Sequence, residues 1–300
     1  MSEPRSVAEL LEVGERVLAD SSSRFEDHDD LYEARQLLAS ALRITDEEAE
    51  DLPDDLEPPH RTRERYLSFV ARRAAGEPQP FIRGFIDFYG LHLKVRPGTF
   101  VPRPSSELTV AHALKRLRGR RSPVVVDLCT GAGPIALAIA DERPDAGVWA
   151  ADIHSDGLAL GRANARDLKI SNVTFKKGDM YEALPQRLCG TIDLVTGHVP
   201  YVPLDELEDL PREVKDHEPV FTLTDDTADG LRLMRRAVAE APSWLKPGGW
   251  LLLEMSEDIG TKVSRMYKKA GFEDVEIIED DDRLSIVVEG RLRRSPRAAR

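Results

Sequence analysis

The sequence predicts a doubly wound α/β fold: a mostly parallel sheet of seven strands with an antiparallel edge strand, preceded by a small helical domain. Three observations point there. From residue 123 onward short apolar runs alternate with amphipathic stretches, the pattern of strands and crossover helices around a parallel sheet. Before residue 76 apolar residues recur at helical spacing. The first run of the alternating part, Val124-Val125-Val126-Asp127-Leu128, passes through the turn Cys129-Thr130-Gly131-Ala132-Gly133 into a helix start. Three hundred residues suffice for a full α/β domain and a smaller companion.

In chain order, residues 6–20 carry Val7, Leu10, Leu11, Val17 and Leu18 at helical spacing, opened by a Ser6/Glu9 capping box. Residues 30–43 repeat the pattern with Leu31, Ala34, Leu37, Leu38 and Leu42. Thr45 precedes Asp46-Glu47-Glu48, an N-cap with acids where the helix dipole favours them. Residues 60–75 add Tyr66, Phe69, Val70 and Ala74 and close near Gly76. Residues 1–76 are therefore read as a helical domain, with substrate docking as its candidate role. Residues 77–104 are read as a linker. It starts at the hinge Gly76-Glu77-Pro78-Gln79-Pro80, continues as a hairpin with arms 81–90 and 91–95, and leads through Val101-Pro102-Arg103-Pro104 to a helix at 107–118.

The domain at 105–290 carries strands at 123–128, 147–152, 172–175, 192–196 and 249–255. Its helices are expected at 133–142, 156–167, 227–245 and 258–269. A closing hairpin, 273–279 and 283–289, turns at Glu279-Asp280-Asp281-Asp282. The acidic, proline-punctuated stretch 201–227 reads as a lid. Residues 291–300, with five Arg, read as a basic disordered tail.

The net charge is −12, which argues against binding duplex nucleic acid. The charge is uneven. Residues 1–60 balance to −13 and the rest to +1. The acidic segment is either a solvated helical surface or a docking face for a basic partner. Two cysteines, Cys129 and Cys189, give no disulfide framework and no zinc spacing. No run approaches the roughly 18 apolar residues of a membrane span, and the start has no apolar signal core. A soluble cytoplasmic protein without a membrane partner is expected.

The chemistry is expected at the strand ends. Asp127 ends the first strand of the alternating part. A carboxylate there suits an amine-bearing cofactor and repels phosphate, and the turn lacks the G-x-G-x-x-G spacing that seats a pyrophosphate. S-adenosylmethionine, with an ammonium, a sulfonium and no phosphate, fits. Gly131 and Gly133 let the backbone pass close to it. Asp152 ends the next strand 25 residues later and can accept both ribose hydroxyls. Asp179 follows the third strand and can take an adenine amino hydrogen, with Met180 as an apolar wall.

With these residues in place the chain resembles the HemK-type protein-(glutamine-N5) methyltransferases, class I enzymes that modify translation release factors. The resemblance covers nearly the whole length. It includes Ala71-Arg72-Arg73-Ala74-Ala75-Gly76-Glu77-Pro78, Val101-Pro102-Arg103-Pro104, Asp216-His217-Glu218-Pro219, Asp229-Gly230-Leu231 and Leu245-Lys246-Pro247-Gly248-Gly249. It implies a Rossmann-like class I sheet and S-adenosylmethionine contacts from Cys129, Thr130, Gly131, Ala132, Gly133, Asp152, Met180 and His198. It also implies an amide site at His198, Val199, Pro200 and Tyr201, and a release-factor-like protein substrate.

Three departures stand out. Cys129 replaces the glycine that usually starts the turn, and reads as a small buried filler rather than a nucleophile. Pro104-Ser105-Ser106-Glu107 replaces Pro-Glu-Thr-Glu. His198-Val199-Pro200-Tyr201 replaces Asn-Pro-Pro-Tyr.

In the family's site the Asn oxygen and the next backbone carbonyl accept the two amide hydrogens and aim the nitrogen lone pair, a positioning effect. His198 allows three readings. As a neutral ring it accepts a hydrogen from a planar nitrogen. As a base it takes a proton from a hydroxyl, carboxyl or azole. Otherwise it is a spacer in a silent site. The competing functions are thus methylation of a protein amide, N- or O-methylation of a small metabolite, and cofactor binding without turnover. His198, His217 and His154 lack metal-ligand spacing, so no metal is expected.

Overall fold

The computed structural model describes residues 3–21, 29–279 and 285–293. The chain divides into two compact units, Met1–Phe85 with Glu208–Glu218, and Ile86–Leu207 with Pro219–Arg300.

The first unit is built on helices Val7–Ala19, Asp30–Leu42 and His60–Ala74, with short helices Asp46–Glu50 and Gln79–Arg83. Ser6 and Glu9 form the capping box. Leu10, Leu18, Leu37, Leu38, Tyr66 and Val70 fill the core. The Tyr66 hydroxyl donates to the Leu10 carbonyl at 3.1 Å. It passes so close to Gly14 that a Cβ there would lie 1.9 Å from the oxygen. The helix at Gln79–Arg83 stands where the first hairpin arm was expected. Pro80 presets a helical first turn, and Gly84, at φ 82°, ends it. Strand pairing begins only at Phe85.

Glu208–Glu218 joins this unit through a buried cation. The Arg73 side chain, in a residue 1% exposed, bonds Glu33 at 2.6 Å and Glu213 at 2.7 Å, and donates to the Glu77 carbonyl at 3.2 Å. The middle of the stretch read as a lid therefore packs as part of the helical unit. Removing one partner of such a buried pair strands the other charge.

The second unit opens with a two-stranded ribbon, β1 (Phe85–Phe88) and β2 (Leu91–Lys94). Its main sheet contains β3 (Val124–Leu128), β4 (Gly147–Asp152), β5 (Val173–Lys177), β6 (Ile192–Gly197), β7 (Leu245–Met255), β8 (Phe272–Glu279) and β9 (Ile286–Leu292). The order is β5-β4-β3-β6-β7-β9-β8. The ladders from β5 to β7 are parallel, and β9 runs antiparallel to β7 and β8 at the closing edge. Alternate residues face opposite sides. Val126, Leu128, Val195, Leu251 and Leu253 pack on helices Arg232–Trp244 and Glu257–Lys269. Val125, Leu194 and Leu252 pack on helices Glu107–Arg116, Pro134–Glu142 and Ser155–Asp167.

Two boundaries moved. β7 starts at Leu245, because Pro247-Gly248-Gly249 is absorbed by a register shift between Ile192 and Leu194 of β6. The helix expected from 227 starts at Arg232. Before it, Asp225 accepts from the Thr227 and Leu233 backbone N–H groups at 3.1 and 3.0 Å and holds the chain in turns. The closing strand runs to Leu292. Residues 280–284 and 294–300, which include most of the expected hairpin turn and basic tail, lie outside the described residues. Among the described residues no helix is long and apolar enough to cross a membrane.

Candidate active site

The strand order reverses at β3: β4 and β5 lie to one side, β6 and β7 to the other. The crevice at the carboxyl ends of β3 and β6 is the place where open α/β sheets bind ligands. Register brings Asp127 beside Thr196 and Leu128 beside Gly197, with Leu253 on the far side of Gly197. The chain positions after these pairs are Cys129, His198 and Glu254. Gly197 keeps the strands close, since a Cβ there would meet the Leu128 carbonyl at 3.2 Å.

On the β3–β4 side the turn 129–133 is held by its backbone. Thr130 N–H donates to Ala151 O at 3.0 Å, and Gly133 N–H to Thr130 O at 2.7 Å. Gly131 N–H donates to Asp152 Oδ2 at 2.8 Å, and His154 N–H to Asp152 Oδ1 at 2.8 Å. Burial raises the Asp152 carboxyl above its ordinary range. Gly131 sits at φ 55° with nothing within 4 Å of where a Cβ would be, so the turn is open to a ligand there. A site for S-adenosylmethionine fits these residues: an open glycine turn, an acid pinned beside it, and the apolar Ile153, 55% exposed, next to that acid.

Three expected contacts take a more specific form. Asp127 is turned inward, 1% exposed, and accepts from the hydroxyls of Thr130 at 2.5 Å and Thr196 at 2.8 Å. It joins β3 to β6 beneath the crevice, and its burial pushes its carboxyl up to about 6. Asp179 Oδ2 accepts from Arg236 Nη1 at 2.7 Å, so one oxygen is already paired. Cys129 lies 3.5 Å from the Met180 sulfur, and burial pushes its thiol well up, which keeps it protonated and inert.

On the β6–β7 side, His198 follows the end of β6 and is sandwiched. Tyr201 stacks on its face at 5.7 Å and 18°, and Phe100 meets it edge-on at 5.5 Å. Burial pushes the Tyr201 phenol up to about 12, so the hydroxyl stays neutral. Val199 is fully buried in the core and anchors the motif. Pro200 is half-buried. Gly230, in Asp229-Gly230-Leu231, backs onto this turn: a Cβ there would lie 2.0 Å from the Tyr201 carbonyl oxygen.

Behind the ring, His198 Nδ1 lies 3.6 Å from Glu254 Oε2. Glu254 is fully buried and accepts from Ser105 and Thr109 hydroxyls, each at 3.3 Å. The sequence reading missed Thr196, Phe100, Thr109 and Glu254. Glu254 had a usable signal: like Asp127 and Asp152, it is an acid near the end of an apolar strand. His154 stacks on Phe221 at 3.4 Å. Among the described residues no three His, Cys, Asp or Glu side chains gather as a metal site.

A methyltransferase-domain family model matches residues 121–287. The chain is 38% identical over 271 residues to a release factor glutamine methyltransferase of Burkholderia pseudomallei, covering 88% of this chain and 92% of that one. It is 40% identical over 205 residues to a release factor glutamine methyltransferase of Streptomyces coelicolor, 68% of this chain and 71% of that one. A crystal structure of a methyltransferase from Pyrococcus furiosus shares the fold at TM-score 0.52 and 17% identity, over 77% of this chain and 98% of that one. A 16S rRNA methyltransferase from T. thermophilus, solved with AdoMet and guanosine, does so at TM-score 0.53 and 18% identity, over 70% and 50%. Matched by the domain model over more than half its length and by such a relative over nearly nine-tenths, the chain belongs to the HemK-type release factor glutamine methyltransferase family and is an S-adenosylmethionine-dependent methyltransferase.

Proposed function

We propose that the protein methylates a side-chain amide nitrogen of a protein substrate, with a translation release factor as the acceptor. The reading is carried by His198 and Tyr201, stacked just past the end of β6, the strand beside β3 and its Gly131 turn. When bound, S-adenosylmethionine supplies an electrophilic methyl group on its sulfonium. Asp152 and the open turn at Gly131 would orient it, and Ile153, exposed beside that acid, would give its adenine an apolar face, with the buried Met180 backing the turn through Cys129. Across the crevice, neutral His198 accepts a hydrogen of the amide, and the Val199 carbonyl accepts the other. The nitrogen lone pair is thereby aimed at the methyl group. The Tyr201 ring walls the planar amide. The proton shed by the methylated nitrogen leaves to solvent past His198, whose side chain is 17% exposed.

The helical unit is proposed to dock the substrate. The charge of −13 over residues 1–60 suits a basic partner, in the cytoplasm where translation factors work, and not a duplex nucleic acid. Such docking weakens as salt rises.

A second reading, N- or O-methylation of a small metabolite with His198 as base, is favoured by the Glu254 carboxylate beside Nδ1, an arrangement typical of general bases. Transfer of labelled methyl from S-adenosylmethionine to purified release factor separates the readings. Label in the release factor supports the first. Label confined to the small-molecule fraction of an extract supports the second. Cofactor binding with no transfer to either marks a silent site.

A further inference from the structure

We infer that Glu254 is a positioning residue for His198: its buried carboxylate holds the ring proton on Nδ1 and leaves Nε2 bare for the methyl acceptor. The inference rests on the reading that His198 meets the acceptor.

The starting point is a burial problem. Glu254 is 0% exposed. A carboxylate in that setting needs donors or a cation. Among the described residues no Lys or Arg pairs with it. Its partners are two hydroxyls, Ser105 at Oε1 and Thr109 at Oε2, and the imidazole at 3.6 Å from Oε2. Hydroxyl hydrogens can rotate to other acceptors, while a ring N–H points in one direction. A carboxylate accepts only, so the tautomer it favours is the one with hydrogen on the nitrogen it faces. That nitrogen is Nδ1. The lone pair is then on Nε2, at the opposite corner of the ring.

The ring cannot turn freely to undo this choice. Tyr201 covers one face, and the Phe100 edge meets it nearly at right angles, 84°. Phe100 is itself backed by the Arg103 guanidinium, 4.4 Å from its centroid. The charged and titratable groups around the ring are therefore Glu254 from β7, Tyr201 from its own turn and Arg103 through Phe100. Asp127 feels the Glu254 charge, and Tyr201 feels Asp258 and Arg103. Among the described residues, Glu254 is the charged group that reaches a ring nitrogen. The gap of 3.6 Å is longer than a finished hydrogen bond, as is common for catalytic contacts before substrate tightens the site.

Two residues among the sequence departures, His198 and Ser105, are explained together. An Asn amide presents its oxygen without any tautomer to choose. A His in that position works as an acceptor only if something fixes which nitrogen is bare. Ser105, one of the changed residues in Pro104-Ser105-Ser106-Glu107, is a donor to the carboxylate that does the fixing.

Nitrogen-15 NMR of the imidazole in the full-length protein, recorded without substrate at a pH where the ring is neutral, tests the tautomer directly. Expected is hydrogen on Nδ1 and a bare Nε2; hydrogen on Nε2 overturns the inference and needs no variant. Kinetics with recombinant release factor supply the second arm. Glu254→Gln should lower kcat by about 10–10²-fold, the scale of a small misplacement, with KM for both substrates within about twofold. In a His198→Asn background the same change should cost less than about threefold, because Asn has no tautomer to set. Equal losses in the two backgrounds would show a merely structural Glu254. A correct tautomer combined with a fully active His198→Ala variant would instead overturn the acceptor reading of His198 and leave the Glu254 contact standing.

Discussion

The two halves of the crevice are built differently. On the β3–β4 side the turn is held by backbone groups: Thr130, Gly131 and His154 offer N–H groups to Ala151 and Asp152. On the β6–β7 side the geometry rests on side chains: Phe100, Ser105, Thr109, His198, Tyr201 and Glu254. A backbone template should tolerate a change of side chain, because its hydrogen bonds come from groups that every residue carries. A side-chain template changes its chemistry when one residue changes. The departure that the resemblance implies, Asn to His198, falls on the half where one side chain sets the chemistry.

The largest expected effect tests that asymmetry. His198→Ala should lower kcat about 10²–10⁴-fold, the range for removing a positioning or proton-transfer group. S-adenosylmethionine affinity should change less than about threefold. His198→Asn then separates the two catalytic readings. If the ring only accepts a hydrogen, the Asn variant keeps most activity and loses the decline at low pH that protonation of the ring causes. If the ring is a base, the Asn variant is as poor as Ala. Calorimetry showing that cofactor affinity falls together with kcat would erase the distinction between the halves.

The converse variant is Asp152→Ala. It removes an acceptor pinned by two N–H groups, and S-adenosylmethionine binding should weaken by about 1.5–3 kcal/mol, the worth of a hydrogen bond to a charged group. Turnover at saturating cofactor should be much less affected. Unchanged affinity by calorimetry would take Asp152 out of the ribose site.

The same asymmetry decides what was legible in the sequence. Asp127, Asp152 and Asp179 each follow an apolar strand, and their positions could be read from local spacing alone. Their partners were harder. The pairing of Asp127 with Thr196 and of Asp179 with Arg236 depends on strand order and on a helix 57 residues away. Glu254 meets Ser105 and Thr109 across 149 and 145 positions, a separation no periodicity reports. The same holds for Arg73 and Glu213: composition marked 201–227 as acidic loop, but only packing reveals that part of it buries a carboxylate on a helix of the first unit. Most element types were legible because they are local; a helix took the place of an expected strand arm at Gln79–Arg83, where a proline presets the first turn, and a boundary moved at Leu245–Gly249, where a proline and two glycines are absorbed into the strand.

Thr196→Val probes the seam between the halves and should cost about 1–2 kcal/mol, since it removes one hydroxyl from a buried acid. The pH dependence has a definite sign. Burial raises Asp127 in the folded state to about 6, above its ordinary value near 4. The folded state therefore holds the proton more tightly between those values, and the ionised acid lowers stability progressively as pH rises through that window. Hydroxyl donors favour the ionised acid, so losing one raises its folded value further. The Thr196→Val penalty should then be small below about pH 6 and grow as the acid ionises above it. Urea midpoints of wild type and variant at about pH 5 and about pH 8 measure it. An equal penalty at both would mean that Asp127 does not change its ionisation between them.

The smallest effect belongs to Cys129→Gly, and smallness is the point. Cys129 sits at φ 52°, where a side chain costs roughly 1–2 kcal/mol and glycine does not. Glycine gives back about 0.5–1 kcal/mol through the entropy of the unfolded chain, and it also loses the contact with the Met180 sulfur. These opposing amounts leave the stability change within about 1 kcal/mol. Cofactor affinity should hold within about twofold, because the turn's hydrogen bonds come from backbone groups that glycine keeps. Thiol labelling adds an independent check. With its thiol pushed well up by burial, Cys129 should react with a thiol reagent far more slowly than the exposed Cys189, so the Gly variant should lose only the slow phase. A large fall in S-adenosylmethionine affinity in Cys129→Gly would break the comparison at its base, by showing that the turn depends on the side chain at position 129 as well as on its backbone and Asp152.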